Sequence, residues 1–142
     1  MRGLAVLPAA AADLGEATDL IGGALRFGNP ATDIIWVLGS PGLITRDTSA
    51  HLFQQAYNAR FPLFASRRAW VDEGAFLGGE PDFFEHGRQV AGVLQKVLST
   101  RKPAFETSAK ISLAMHVKVA RRVGVSVTQE VRDQIGTLIA DD

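Results

Sequence analysis

The sequence has no cysteine among its 142 residues. That absence excludes disulfides, thiolate metal sites and thiol nucleophiles. An excess of charge of one sign is also missing, because 15 Lys and Arg offset 15 Asp and Glu. A balanced chain lacks the electrostatic footprint of a nucleic-acid binder. No apolar run approaches the ~20 residues that a membrane-spanning helix needs. The usual catalytic signatures are absent too. There is no Gly-x-Ser-x-Gly elbow, no P-loop Gly-Lys-Ser/Thr and no Gly-x-Gly-x-x-Gly after the first apolar run. A phosphoacceptor receiver domain has this length, but it needs an acidic pair after its first strand. Here Leu7 leads into Pro8-Ala9-Ala10. His51, His86 and His116 have no partner at i, i+4, so they do not read as a metal site. The resulting expectation is a protein that is not an enzyme and holds no metal or cofactor.

The residues that are present point to one domain over residues 1–142, since 46% are hydrophobic and 21% charged. The opening MRGLAVLPAAAADLGEA imitates a short signal peptide. Asp13 and Glu16 follow it with helix-starting chemistry, so residues 3–7 are read as a buried first strand. A helix from Asp13 places Leu14, Ala17, Thr18, Ile21 and Leu25 on one stripe. It stops at Gly28-Asn29-Pro30. Residues 33–38, DIIWVL, read as a strand covered on both faces. A helix over 46–60 and a strand over 62–65 follow, then a turn of helix around Trp70. Residues 75–77 are read as a further strand, leading into a Gly78-Gly79-Glu80-Pro81 loop and a long amphipathic helix. In that helix Phe84, Gly87, Val90, Ala91, Leu94, Val97 and Leu98 share the face expected to be buried. Residues 99–109 form a linker and 110–114 a weaker strand. The chain closes with a helix ending at Gly124 and another over 128–140. Strand–helix alternation with short connections implies an α/β fold: a three-layer, open, mostly parallel sheet flanked by helices. Trp36, Phe53, Phe64 and Leu94 are its expected core.

In such a sheet, ligands bind beyond the carboxyl ends of the strands. Candidate ligand-binding residues therefore cluster on one rim. Ser40 offers a hydroxyl and backbone amides for a carboxylate, or makes a plain turn. Ser66 and Arg67 follow a strand, and Arg67 can form a bidentate pair with a carboxylate unless it is simply solvated beside Arg68. Gly79 allows close backbone approach. Glu80 can accept from an ammonium group, or can cap the helix. Trp70 can stack on an aromatic ligand, whereas Trp36 belongs in the core. Lys118, Arg121 and Arg122 either bind an anion or complement a helix terminus.

Several motifs also occur in the order and spacing of a known family. They are Phe61-Pro62-Leu63-Phe64, Glu73-Gly74-Ala75-Phe76, Gly87-Arg88-Gln89-Val90-Ala91, Thr100-Arg101-Lys102-Pro103 and the run from His116 to Gly124. With them the chain resembles the carboxyl-terminal part of the ABC-transporter substrate-binding proteins of the tryptophan/tyrosine type, which have a periplasmic-binding-protein type I fold. It departs from that pattern at His116, where the family has Asn, and at Thr128, where it has Pro. The linker after Pro103 is also shorter. Members are about twice this long and grip a ligand between two lobes. The resemblance therefore implies a single lobe of a solute-binding module for a small organic molecule such as an amino acid. It also implies a permease as transport partner and an extracytoplasmic location. A lone lobe leaves a half-site and uncovered surface, so a homodimer is expected. The alternative is a non-catalytic scaffold that keeps the fold and self-associates.

Overall fold

A side-chain cap starts the first helix. The Asp13 carboxylate accepts the amide of Glu16 at 2.9 Å, and Glu16 in turn accepts that of Ala12 at 2.8 Å. In the computed structural model, which describes residues 5–39 and 44–139, this cap begins α1, Leu14–Phe27. Strand β1 is Ile35–Val37. Thr45 and Thr48 satisfy each other's amides in a capping box, which starts α2, Arg46–Asn58. Then come β2, Leu63–Ala65, the short α3, Ala69–Asp72, and β3, Leu77–Pro81. Asp82 accepts the amide of Glu85 and caps α4, Phe83–Thr100. β4 is Ile111–His116 and α5 is Val117–Arg122. Thr128 caps α6, Gln129–Gln134, and β5 is Thr137–Ile139.

The strands form one five-stranded sheet in the order β1-β2-β3-β4-β5. β1, β2 and β3 are parallel, β4 runs antiparallel to β3, and β5 is parallel to β4. The α/β class and the mostly parallel sheet expected from the sequence are present. So is the parallel pairing of the segments around Trp36 and Phe64, which lie opposite each other.

Two apolar clusters hold the sheet. One joins Val37, Leu63 and Ala65 of β1 and β2 to Leu52, Phe53 and Ala56 of α2 and to Trp70. Phe53 is only 2% exposed, and its ring lies 6.0 Å from that of Trp70. The other gathers Phe76, Met115, Val119, Ala120 and Ile135.

Several expectations are corrected. Residues 5–7 of the expected first strand are exposed and have no regular structure. β1 is the edge of the sheet, so no partner ladder reaches them, and apolar character alone does not make a strand. The Gly-Gly-Glu-Pro segment is not a loop but lies inside β3, paired residue by residue with β4. The strand expected at 110–114 extends to His116. The last expected helix stops at Gln134, and residues 137–139 form β5 instead.

Trp36 is 57% exposed, because alternation along β1 turns Ile35 and Val37 to the helices and Trp36 to the other face. There it meets Phe64, with ring centroids 5.5 Å apart. Phe64 is half-buried rather than fully buried. Leu94 is 55% exposed, and α4 buries none of its residues.

Candidate functional site

The parallel strands β1 and β2 end together, and side chains stitch those ends into a rim. The Ser66 amide donates to the Val37 carbonyl at 3.2 Å. The Gly39 amide donates to Ser66 Oγ at 2.8 Å. Ser66 is thus a structural acceptor, and its own O–H meets no acceptor among the described residues. Gly39 faces the guanidinium of the next residue: a Cβ placed there would lie 3.2 Å from Arg67 Nε. Ser40 lies outside the described residues.

Arg67 is held from below. Its guanidinium carbon sits 5.6 Å from the centroid of the Trp70 ring. Trp70 is 6% exposed. With Phe53 beside it and Arg67 over it, Trp70 is not the stacking platform read from the sequence. It is a buried support that fixes the direction of a cation.

Glu80 reaches the same rim through strand register. Ala65, the last residue of β2, pairs with Gly78, so β3 continues past the end of β2. That overhang carries Glu80 alongside the loop after β2, where Glu80 Oε2 accepts the Arg68 amide at 3.3 Å. Gly78 makes the approach possible. A Cβ there would lie 2.5 Å from Val71 Cγ2 and 2.9 Å from the Arg67 carbonyl oxygen, which no side chain tolerates. Gly79 points elsewhere. A Cβ on it would meet Leu113, Phe64 and Ile111 on the other face of the sheet, at 3.2–3.4 Å. It belongs to sheet packing and not to the rim loops.

An ion pair closes the rim at the start of α4. Lys110 Nζ lies 3.0 Å from Asp82 Oδ2. The Glu85 amide, and then Lys110, hold the Asp82 carboxyl below the usual carboxylate range. The same contact raises Lys110. At the opposite end of the sheet, before β1, the Asn29 amide and the Thr32 hydroxyl lower Asp33, which belongs to a turn.

Ser66, Arg67 and Glu80 are therefore brought together, with Trp70 beneath Arg67. Neither Arg67 nor Glu80 forms an ion pair among the described residues. Among the described residues the rim thus presents the Arg67 guanidinium and the Glu80 carboxylate without ion-pair partners. The amides of Gly39 and Arg68, which tie the rim together, were not legible as site elements, since a backbone group leaves no mark in the sequence. His116 and Lys118 lie apart from the rim, beside Glu73 in a polar cleft of about 270 Å³. Among the described residues no group of His, Asp and Glu is arranged to hold a metal ion. No helix among them is long and apolar enough to cross a membrane.

No protein-family signature and no curated protein sequence matches the chain. Solved structures do share its fold. A conserved domain protein from Vibrio cholerae O1 biovar El Tor superposes over 92% of this chain and 43% of its own, with TM-score 0.61 and 16% identity. An ABC domain from Streptococcus pneumoniae, solved in complex with L-Trp, covers 96% of this chain and 45% of its own, with TM-score 0.63 and 20% identity. CD0873 from Clostridium difficile, a substrate-binding protein with adhesive properties in its ligand-free, open form, covers 99% and 46%, with TM-score 0.65 and 15% identity. The chain thus has the fold of a lobe of substrate-binding proteins. It spans less than half the length of each of the three.

Proposed function

We propose that the chain is a non-catalytic solute-binding module of an ABC-type transport system, and that its rim takes a small zwitterion such as an amino acid. One observation carries this reading: Arg67 and Glu80 stand on one rim with opposite charge and without ion-pair partners among the described residues. A guanidinium suits a carboxylate through two parallel hydrogen bonds, and a carboxylate suits an ammonium group. The Ser66 hydroxyl adds a donor beside Arg67. The fold shared with a structure holding L-Trp is in keeping with a small organic ligand. Transport implies a permease partner and an extracytoplasmic location.

Titration calorimetry with a panel of amino acids tests the reading. Hydrogen bonds to charged groups contribute ~1.5–3 kcal/mol. Arg67→Ala and Glu80→Gln are therefore each expected to weaken binding by about 10- to 100-fold, with the fold intact by circular dichroism. An amino acid that binds both variants as tightly as the parent chain would overturn the assignment.

A second reading rests on α4. Phe83, Phe84, Val90, Leu94 and Leu98 all lie exposed along it. An apolar stripe of this kind favours association. The chain would then act as a scaffold that self-associates, or as a homodimeric binder in which both readings hold.

A further inference from the structure

One side of α4 is held by its own chain. Gln89 Nε2 donates to the Thr107 carbonyl at 2.7 Å, and Gln89 Oε1 accepts the Ala109 amide at 3.0 Å. Val93 and Val97, one and two turns further on, are half-buried on that side. Another side faces solvent. Phe83, Phe84, Val90, Leu94 and Leu98 are each more than half exposed there. Their helical spacing keeps them on one stripe with Gly87 and Ala91. No charged residue belongs to this stripe.

Gly87 leaves a notch in it. Glycine is among the poorest helix formers, and inside a helix it suits a place where something packs close against the backbone. Within this chain nothing does: a Cβ at Gly87 would meet no described atom within 4 Å. Phe83, Phe84, Val90 and Ala91 flank the gap. Leu94 lies two turns further along the stripe, about 10 Å away along the axis, so it cannot reach the notch of its own helix. A second copy of the stripe running antiparallel supplies the match. A two-fold axis crossing midway between residues 87 and 94 places the Leu94 of each copy over the Gly87 of the other. A parallel pair would set glycine against glycine and leave both notches empty.

From this self-complementarity we infer that α4 pairs antiparallel with α4 of a second copy of this chain, each Leu94 seated in the notch at Gly87 of the other copy. The inference rests on the self-associating reading of α4 and is independent of the rim. Area supports a second copy as the occupant. A large apolar side chain carries roughly 150–200 Å², so five that are more than half exposed hold about 500 Å² per copy. The pair covers about 1,000 Å², the least that a specific interface needs. The bare backbone at Gly87 lets the helix axes approach to about 8 Å, the near end of ordinary helix packing.

The test uses the full chain, whose lack of cysteine lets introduced thiols report without interference. Gly87→Cys mixed with Leu94→Cys is expected to form a disulfide-linked dimer under mild oxidation, at least tenfold faster than either variant alone. Sedimentation equilibrium gives the second readout. Gly87→Leu fills the notch with a better helix former. It should keep or raise the helix content by circular dichroism, so that unfolding does not explain its effect, and weaken the dimer at least tenfold. A stripe that associates only because it is apolar would bind more tightly with the added Leu. Arg67→Ala should leave the dimer unchanged, which separates this surface from the rim. A monomeric parent would overturn this inference and the self-association reading together. A parent that dimerises while the mixed cysteines link no faster than either alone, or while Gly87→Leu associates as tightly as the parent, would overturn this inference and leave self-association through another surface standing.

Discussion

Phe53 and Leu94 are both large apolar residues on helices, yet they stand in opposite environments. Phe53 is 2% exposed between α2 and Trp70, whereas Leu94 is more than half exposed on α4. Truncating a buried Phe removes its transfer energy and leaves a cavity, at a cost of about 3–5 kcal/mol. Phe53→Ala is therefore expected to lower the denaturation midpoint strongly, and Leu94→Ala to melt within ~0.5 kcal/mol of the parent. Chemical denaturation of the two variants checks the contrast. At this scale the sequence is legible where local chemistry is decisive. Asp13 and Thr128 start helices where expected, and the segments around Trp36 and Phe64 pair in parallel as expected. It misleads where the face of an element matters. Trp36 looks like core because its strand is apolar throughout, but pleating turns it outward. Trp70 looks like surface because Arg67, Arg68 and Asp72 surround it in sequence, yet its ring is covered by Phe53 and Arg67. Ser66, Arg67 and Glu80 are legible as rim residues because all three sit near strand ends. Gly79 is misplaced because two consecutive strand residues face opposite ways.

Among the elements, β3 and α4 teach the most. Gly78-Gly79-Glu80-Pro81 has loop-like composition, yet pairing with β4 draws it into the sheet, and the overhang of β3 is what brings Glu80 to Arg68. Ile135, Leu138 and Ile139 repeat at helical spacing, but the parallel pairing of β5 with β4 overrides that pattern. The amphipathic pattern of α4 correctly specifies a helix, and it says nothing of what covers the apolar side. The start of α4 is tied to the start of β4 by Asp82 and Lys110. Asp82 is lowered in the fold, so its contribution is present above its unfolded value of about 3.9 and is lost as pH falls through its lower folded value. Lys110 is raised, so its contribution is present below about 10.4 and is lost as pH rises through its higher folded value. Thermal melts should therefore show a small gap between the parent and Lys110→Met at neutral pH. That gap should close at acid pH, once Asp82 is protonated. A gap that is the same at acid and neutral pH would rule out the pair as its origin.

For the whole molecule, the exposed apolar side of α4 is the surface that favours association. Five large apolar side chains on one exposed helix exceed what isolated surface residues account for. The chain is expected to associate at micromolar concentration, and Phe84→Ser with Leu94→Lys should return it to a monomer. Light scattering of the parent and the double variant is the direct check, and a parent that is monomeric throughout would refute the expectation. Strand order in the sheet is also chain order. Every member of the cluster from Val37 to Ala75 precedes β3 in the chain. During synthesis, at about 5–20 residues per second, each strand leaving the ribosome therefore finds its neighbour already made. The first apolar cluster can close while α4 and β4 are still untranslated, and no later strand has to wedge between two earlier ones. The sheet can grow from a single edge, at the pace of translation.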